Sequence, residues 1–166
     1  MSEKVALINF YDTSLDEKKM ILSWRNHSEI KKWMYNTHDI SLADHLSFIE
    51  KLKEDDSKLY FLVKRGDNYL GVIDFYNFKN EEREGEYGLY ANPLTTVPGV
   101  GRLLNSISID YAFNVLKLKK LKLEVFETNV KVINLHRKFK FTEVSRKKVN
   151  NQLVICMELL SENREL

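Results

Sequence analysis

Apolar residues recur along this chain with two periods, and the switches between them mark out its elements. Residues 5–11 (VALINFY) form a β-rich run that reads as a first strand. Over 15–26 the apolar positions Leu15, Met20, Ile21 and Trp24 fit a helix, and a short second helix is expected over 30–35. Ser41-x-x-Asp44 opens another helix with Ser41 as N-cap, and Leu42, Leu46, Ile49 and Leu52 make one stripe along it. Residues 59–64 and 69–78 are strand-like runs, joined by Arg65-Gly66-Asp67-Asn68 in a hairpin turn. A charged turn over 79–84 leads to a further strand at 85–91 (GEYGLYA). After a glycine-containing loop comes an amphipathic run to about 116, with Leu104, Ile107, Tyr111 and Val115 on one face. Residues 121–126 (LKLEVF) alternate as a strand and 130–139 read as a helix. Strands at 141–148 and 153–160 then pair through Asn150-Asn151.

Counting the long elements, the order is β-α-α-β-β-β-α-β-α-β-β. An antiparallel meander followed by a β-α-β crossover implies an α/β fold with a mixed sheet. The strands on either side of the glycine-loop helix are expected to be parallel neighbours. Along 75–76 the strand alternation turns Phe75 and Tyr76 to opposite faces, so only one of them lines a given cleft.

Length narrows the picture to one domain over 1–166, and 43% apolar with 30% charged residues describes an ordinary globular chain. No apolar run is long enough to span a bilayer, so no membrane is expected. The opening Met1-Ser2-Glu3-Lys4 lacks a basic region followed by an apolar stretch, so no secretory leader is expected. A single cysteine, Cys156, rules out an intrachain disulfide and fits the cytoplasm. It lies in the apolar run Leu153-Val154-Ile155-Cys156-Met157 and reads as a core residue of the last strand. A net charge of +2, from 26 basic and 24 acidic residues, is too balanced to imply nucleic acid. Lys117, Lys119, Lys120 and Lys122 read as a solvated turn and strand edge. His27, His38, His45 and His136 show no metal-ligand spacing, and no metal is expected.

The candidate chemistry centres on Thr96-Val97-Pro98-Gly99-Val100-Gly101-Arg102. A strand, a Gly-x-Gly loop and a helix start present free backbone N–H groups and the positive end of a helix dipole, which together bind anions. The two glycines let the backbone approach a phosphate closely, although a plain strand-to-helix turn has the same pattern.

This order, with its loop after the fourth strand, resembles the Gcn5-related N-acetyltransferases (GNAT) over nearly the whole chain. The family's loop reads Arg or Gln, two residues, Gly, one residue, Gly or Ala. Here the glycines match, while Thr96 stands at the leading position. The family also shows Asn-x-x-Ala-Ile-x-Leu-Tyr-x-Lys-x-Gly-Phe, to which Asn129, Ile133, Leu135, Lys138 and Phe141 correspond. His136 replaces the Tyr and Lys140 the Gly. Trp24-Arg25-Asn26-His27, Trp33-Met34, His45-Leu46, Tyr60-Phe61-Leu62-Val63, Gly71 to Phe75 and Gly88-Leu89-Tyr90 look like the PseH-type subgroup of pseudaminic acid synthesis.

The resemblance implies a mostly antiparallel sheet of six to seven strands flanked by about four helices, splayed between the fourth and fifth strands. It implies acetyl-CoA as cosubstrate and a UDP-linked 4-amino-4,6-dideoxy sugar as acceptor. Leu89 and Tyr90 would pair with the pantetheine arm. Val97, Gly99, Val100, Gly101 and Arg102 would cradle the pyrophosphate, with Arg102 open to an exposed role instead. Asn129 would reach the arm or cap a helix. Glu124 shares a strand face with Lys122 and Phe126 and would take the amine's proton, or pair with a lysine across the sheet. His136 would protonate the leaving thiolate as an imidazolium, or simply pack, with Tyr87 and Tyr90 as substitutes. Arg25 and His45 would meet the nucleotide, and Asp74 and Tyr90 the sugar. A protein N-terminal acetyltransferase and a non-catalytic acetyl-CoA sensor share this architecture. An exposed last strand would allow a homodimer.

Overall fold

The protein is described from a computed structural model covering residues 4–164, so Met1, Ser2 and Glu3 of the opening segment lie outside the described residues. Its strands are β1 (Val5–Asn9), β2 (Lys58–Arg65), β3 (Asn68–Tyr76), β4 (Glu84–Ala91), β5 (Lys120–Phe126), β6 (Thr142–Val149) and β7 (Gln152–Leu160). They form one sheet in the order β1-β2-β3-β4-β5-β7-β6. Every pair is antiparallel except β4 with β5. The expected parallel neighbours are therefore present, because the helical crossover between them returns the chain in the same direction. The last strand, β7, lies between β5 and β6 and is not at an edge. The route to a dimer through an exposed last strand is thus corrected: the edges are β1 and β6.

The helices are α1 (Leu15–Arg25), α2 (Ser28–Lys31), α3 (Leu42–Leu52), α4 (Val100–Asp110) and α5 (Val130–Lys138). Ser14 caps α1 in a reciprocal box with Glu17, and Ser41 caps α3 through the Asp44 amide at 3.1 Å. The helix expected over 30–35 is instead the single turn α2, capped by His27. The first strand ends at Asn9, where Phe10–Asp12 turn as a 3₁₀ helix. The Asn150-Asn151 turn has positive φ at both residues (51° and 62°), as a primed two-residue hairpin turn requires.

Strand alternation splits the core in two. Phe61, Ile73, Phe75, Leu121, Leu123 and Met157 face α4 and α5 and pack with Leu104 and Ile133. Leu62 and Val72, one residue out of step, pack on the other face with Ile21 and Trp24 of α1 and Ile49 of α3. The candidate chemistry is divided between these two faces.

Candidate active site

β4 and β5 pair over only three residues, Glu84–Glu86 against Lys120–Lys122. Beyond them β4 stays with β3 as far as Ala91, and β5 stays with β7 as far as Phe126. The two strands part from Tyr87 and Leu123 onward. Leu89 and Tyr90 lie on the β4 bank of that gap, along an edge that β5 no longer covers.

The loop after β4 enters α4 through Gly99, whose φ of 72° is left-handed, and no side chain caps the helix. The Leu103 amide bonds back to the Gly99 carbonyl at 3.0 Å. The amides of Val100, Gly101 and Arg102 precede it and are the unpaired donors of the first turn. The Val97 amide, in contrast, is taken by Thr95 Oγ1 at 3.2 Å. Arg102 is exposed. Ser-capped α1 and α3 have spent donors that α4 keeps free. A Cβ at Gly99 would meet nothing within 4 Å. Gly99→Ala should therefore cost only its backbone strain, about 1 kcal/mol, seen as a fall in Tm of about 3 °C. Asn129 stands at the start of α5 without capping it, and its side chain makes no hydrogen bond among the described residues. Of its two readings, capping is the one the side chain does not perform.

Glu124 projects from the opposite face of β5, the α1/α3 side. It accepts a hydrogen bond from the Tyr35 hydroxyl and another from Lys147 Nζ at 2.7 Å. Burial works to raise its pKa, but these two bonds and the Lys147 charge outweigh it and hold the carboxyl below its ordinary value. Tyr35 also rests edge-on against Phe126, with centroids 5.5 Å apart, and its carbonyl accepts from Asn150 Nδ2 at 2.7 Å. The segment after α2 thus reaches across to the β6–β7 hairpin. Beneath it is a cleft of about 430 Å³ lined by Lys32, Tyr35, Asn36, His38, Phe126 and Asn150, among others.

On the β4 bank, Asp74 of β3 lies opposite Gly88 and half-buried, and Tyr90 lies two residues further on the same face. Burial foremost, then the Asp74 charge, raises the Tyr90 phenol well above its ordinary pKa. Arg25 of α1 donates through Nη2 to the Asn36 carbonyl at 2.9 Å, while its buried Nη1 has no hydrogen-bond partner among the described residues. His45 is placed elsewhere. It is buried in α3 with Nε2 2.8 Å from the Lys18 carbonyl of α1, so it ties two helices together; like Arg25, Asp74 and Tyr90, it is not among the cleft-lining residues.

His136 lies on the α4/α5 face, 5% exposed, edge-on to Tyr87 and Phe141. Burial lowers its pKa to about 4. Burial thus favours the neutral ring over the imidazolium, and packing is the reading whose contacts the geometry displays. Tyr87 donates to Asn105 Oδ1 at 2.6 Å inside the same core. Cys156 is also corrected: it is half-buried on the Glu124 side, because Ile155 and Met157 take the core face. Sequence reasoning missed Tyr35, Lys147 and Asn150. None carried a signal of its own: Lys147 lies in the unbroken basic run Arg146-Lys147-Lys148, which does not single out one face. Tyr35 sits in a segment without periodicity.

Comparison with known proteins agrees with this layout. The acetyltransferase (GNAT) domain model matches residues 8–142. Acetyltransferase PseH of Campylobacter jejuni is 41% identical over 138 residues, which cover 83% of this chain and 85% of that protein. The crystal structure of C. jejuni N-acetyltransferase PseH in complex with acetyl coenzyme A matches with a TM-score of 0.76 at 34% identity, over 95% of this chain and 99% of that one. Spermidine N-acetyltransferase from Vibrio cholerae, in complex with CoA and spermine, shares the fold, with a TM-score of 0.84 at 21% identity over 95% and 96% of the two chains. With a parted β4–β5 pair, an uncapped helix beside it and a family match over most of its length, the chain belongs to the GNAT family of N-acetyltransferases.

Proposed function

We propose that this chain transfers the acetyl group of acetyl-CoA to the 4-amino group of UDP-4-amino-4,6-dideoxy-N-acetyl-β-L-altrosamine, in pseudaminic acid biosynthesis for flagellin glycosylation. The observation that carries the reading is the 41% identity to PseH over most of both chains. The geometry fits the cosubstrate. Val100, Gly101 and Arg102 offer the unpaired amides a pyrophosphate needs, with Val97 and Gly99 shaping the loop. Leu89 and Tyr90 offer an uncovered strand edge to the pantetheine arm, and Asn129 an uncommitted amide side chain.

The acceptor would enter from the α1/α3 side, under the Tyr35 segment. Arg25, whose Nη1 is buried without a hydrogen-bond partner among the described residues, would turn to an anionic group there, and a guanidinium suits a diphosphate because its fork binds two oxygens. His45 would contribute by holding α3 against α1. Direct attack of the amine on the thioester needs both substrates held in line and no covalent enzyme intermediate.

The test is release of free thiol from acetyl-CoA with a panel of UDP-4-amino sugars and an N-terminal peptide as control. Turnover with a UDP-4-amino sugar alone is expected. Turnover with the peptide alone would move the assignment to protein N-terminal acetylation. Tight acetyl-CoA binding without any turnover would make the chain a sensor.

A further inference from the structure

Two carboxylates face the acceptor side from opposite banks of the β4–β5 gap, and their surroundings treat them differently. Glu124, on the β5 bank, is held by Tyr35 and Lys147. The Asp74 carboxyl, on the β4 bank, accepts no hydrogen bond from any described residue. Its neighbours are phenols: Tyr60 of β2 is its ladder partner, Tyr76 shares its strand face, and Tyr90 stands on β4. The charges that reach this group of rings are Glu86 of β4, Glu124 of β5 and Arg25 of α1, acting on Tyr76 and Tyr90. No cation among the described residues acts on the Asp74 carboxyl, and burial pushes it up to about 7.

The space the carboxyl occupies exists because residue 88 is glycine. A Cβ there would stand 2.9 Å from Asp74 Oδ1 and 3.4 Å from Oδ2. Asp74 therefore lies directly over the β4 backbone at the point where β4 has left β5.

We propose that Asp74 is the group that takes the proton from the acceptor amine, and that Glu124 instead holds the Tyr35 segment over the cleft. This rests on the acetyl-transfer reading above. The arriving ammonium gives one proton to the Asp74 carboxylate. The freed lone pair forms the C–N bond to the thioester carbonyl carbon, and the C–S bond breaks. The nitrogen's second proton goes to the departing thiolate, giving free thiol, and the Asp74 proton returns to solvent. A base works best when its pKa lies near the working pH and its lone pairs are uncommitted, and of the two carboxylates only Asp74 meets both conditions.

The experiment compares wild type, Asp74→Asn and Glu124→Gln in kcat, kcat/KM against pH, and KM for acetyl-CoA, on whichever amine turns over. The comparison is made on one amine, so that amine's own titration cancels. Asp74→Asn should lose about 100-fold or more in kcat and the limb near pH 7, with KM for acetyl-CoA within about threefold. Glu124→Gln should keep the limb and raise the acceptor KM. Gly88→Ala, which pushes the carboxyl aside without removing it, should fall about tenfold with its Tm little changed. A limb that survives in Asp74→Asn, or vanishes in Glu124→Gln, overturns the proposal. Turnover of a peptide but no UDP-sugar refutes the acceptor assignment alone, and the same profiles then judge Asp74 on the peptide. Should Asp74→Asn not fold, or no amine turn over, carbon-13 NMR of the wild-type carboxyl decides: a midpoint near 7 is expected, and one below 5 overturns it.

Discussion

Gly101→Asp should fold as wild type does and lose acetyl-CoA binding by about 100-fold or more. Gly101 is the second residue of α4, and a Cβ there would meet Leu135 Cδ2 at 3.7 Å, an ordinary contact. An aspartate in the first turn also suits the helix dipole and is a better helix former than glycine, so the isolated protein loses nothing. The carboxylate would accept from the free amides and occupy the anion site with a charge of the wrong sign for a pyrophosphate. A hundredfold loss is about 2.7 kcal/mol, the scale of one displaced charge-assisted bond plus like-charge repulsion in a partly desolvated loop. Titration calorimetry with acetyl-CoA, beside a melting curve, checks both halves. An unchanged Tm with unchanged affinity would remove the α4 N-terminus from the cofactor site. Gly101→Ala is the steric control and should bind within a fewfold of wild type.

The features legible in the sequence are those fixed over a few residues. The hairpin at Asn150-Asn151 is one, because asparagine tolerates the positive φ that both positions adopt. The uncapped start of α4 is another, since the two glycines supply neither a capping oxygen nor a side chain to fill the anion site. The alternation along β5 put Glu124 on the same face as Phe126, and the structure keeps it there. Lys140, at the glycine position of the motif it resembles, has φ of 77°, a left-handed turn of the kind glycine favours.

What escaped the sequence depends on contacts between distant residues. Tyr35 and Glu124 are 89 residues apart, and nothing in either segment announces the bond that lowers the base strength of Glu124. Cys156 reads as core within an unbroken apolar run, yet a strand buried on both faces has that run whichever side the sulfur takes. The position of β7 inside the sheet follows from its seven-residue ladder with β5, which pairing propensities of the hairpin alone do not encode. His136 keeps the spacing of a proton donor, and the burial that lowers its pKa comes with Tyr87 and Phe141 packed edge-on against it.

His136 and Asp74 together make stability respond to pH in opposite senses, and separating them should produce large, opposed slopes. Burial lowers His136 from 6.5 to about 4. Between those values the unfolded chain binds the proton and the folded one does not, so stability falls as pH drops through that window and the full loss is present below about 4. Burial raises Asp74 from 3.8 to about 7. There the folded chain holds the proton that the unfolded one releases, so stability falls as pH rises through the window and the full loss is present above about 7. Each amounts to about 3 kcal/mol, the Asp74 figure trimmed for the solvent that reaches a half-buried carboxyl. In wild type the two slopes nearly cancel between about pH 4.5 and 6.5, where both windows overlap. Asp74→Asn should then lose stability on acidification, and His136→Phe, which keeps an aromatic ring against Tyr87 and Phe141, should gain it. Urea unfolding of the three proteins at several pH values between 4.5 and 8 reads this directly, and parallel curves would mean that neither group is displaced. Above pH 7 Asp74→Asn should be the most stable of the three while being the least active. A carboxylate ionised at that cost, with no hydrogen-bond partner among the described residues, is what a proton acceptor for an incoming ammonium requires.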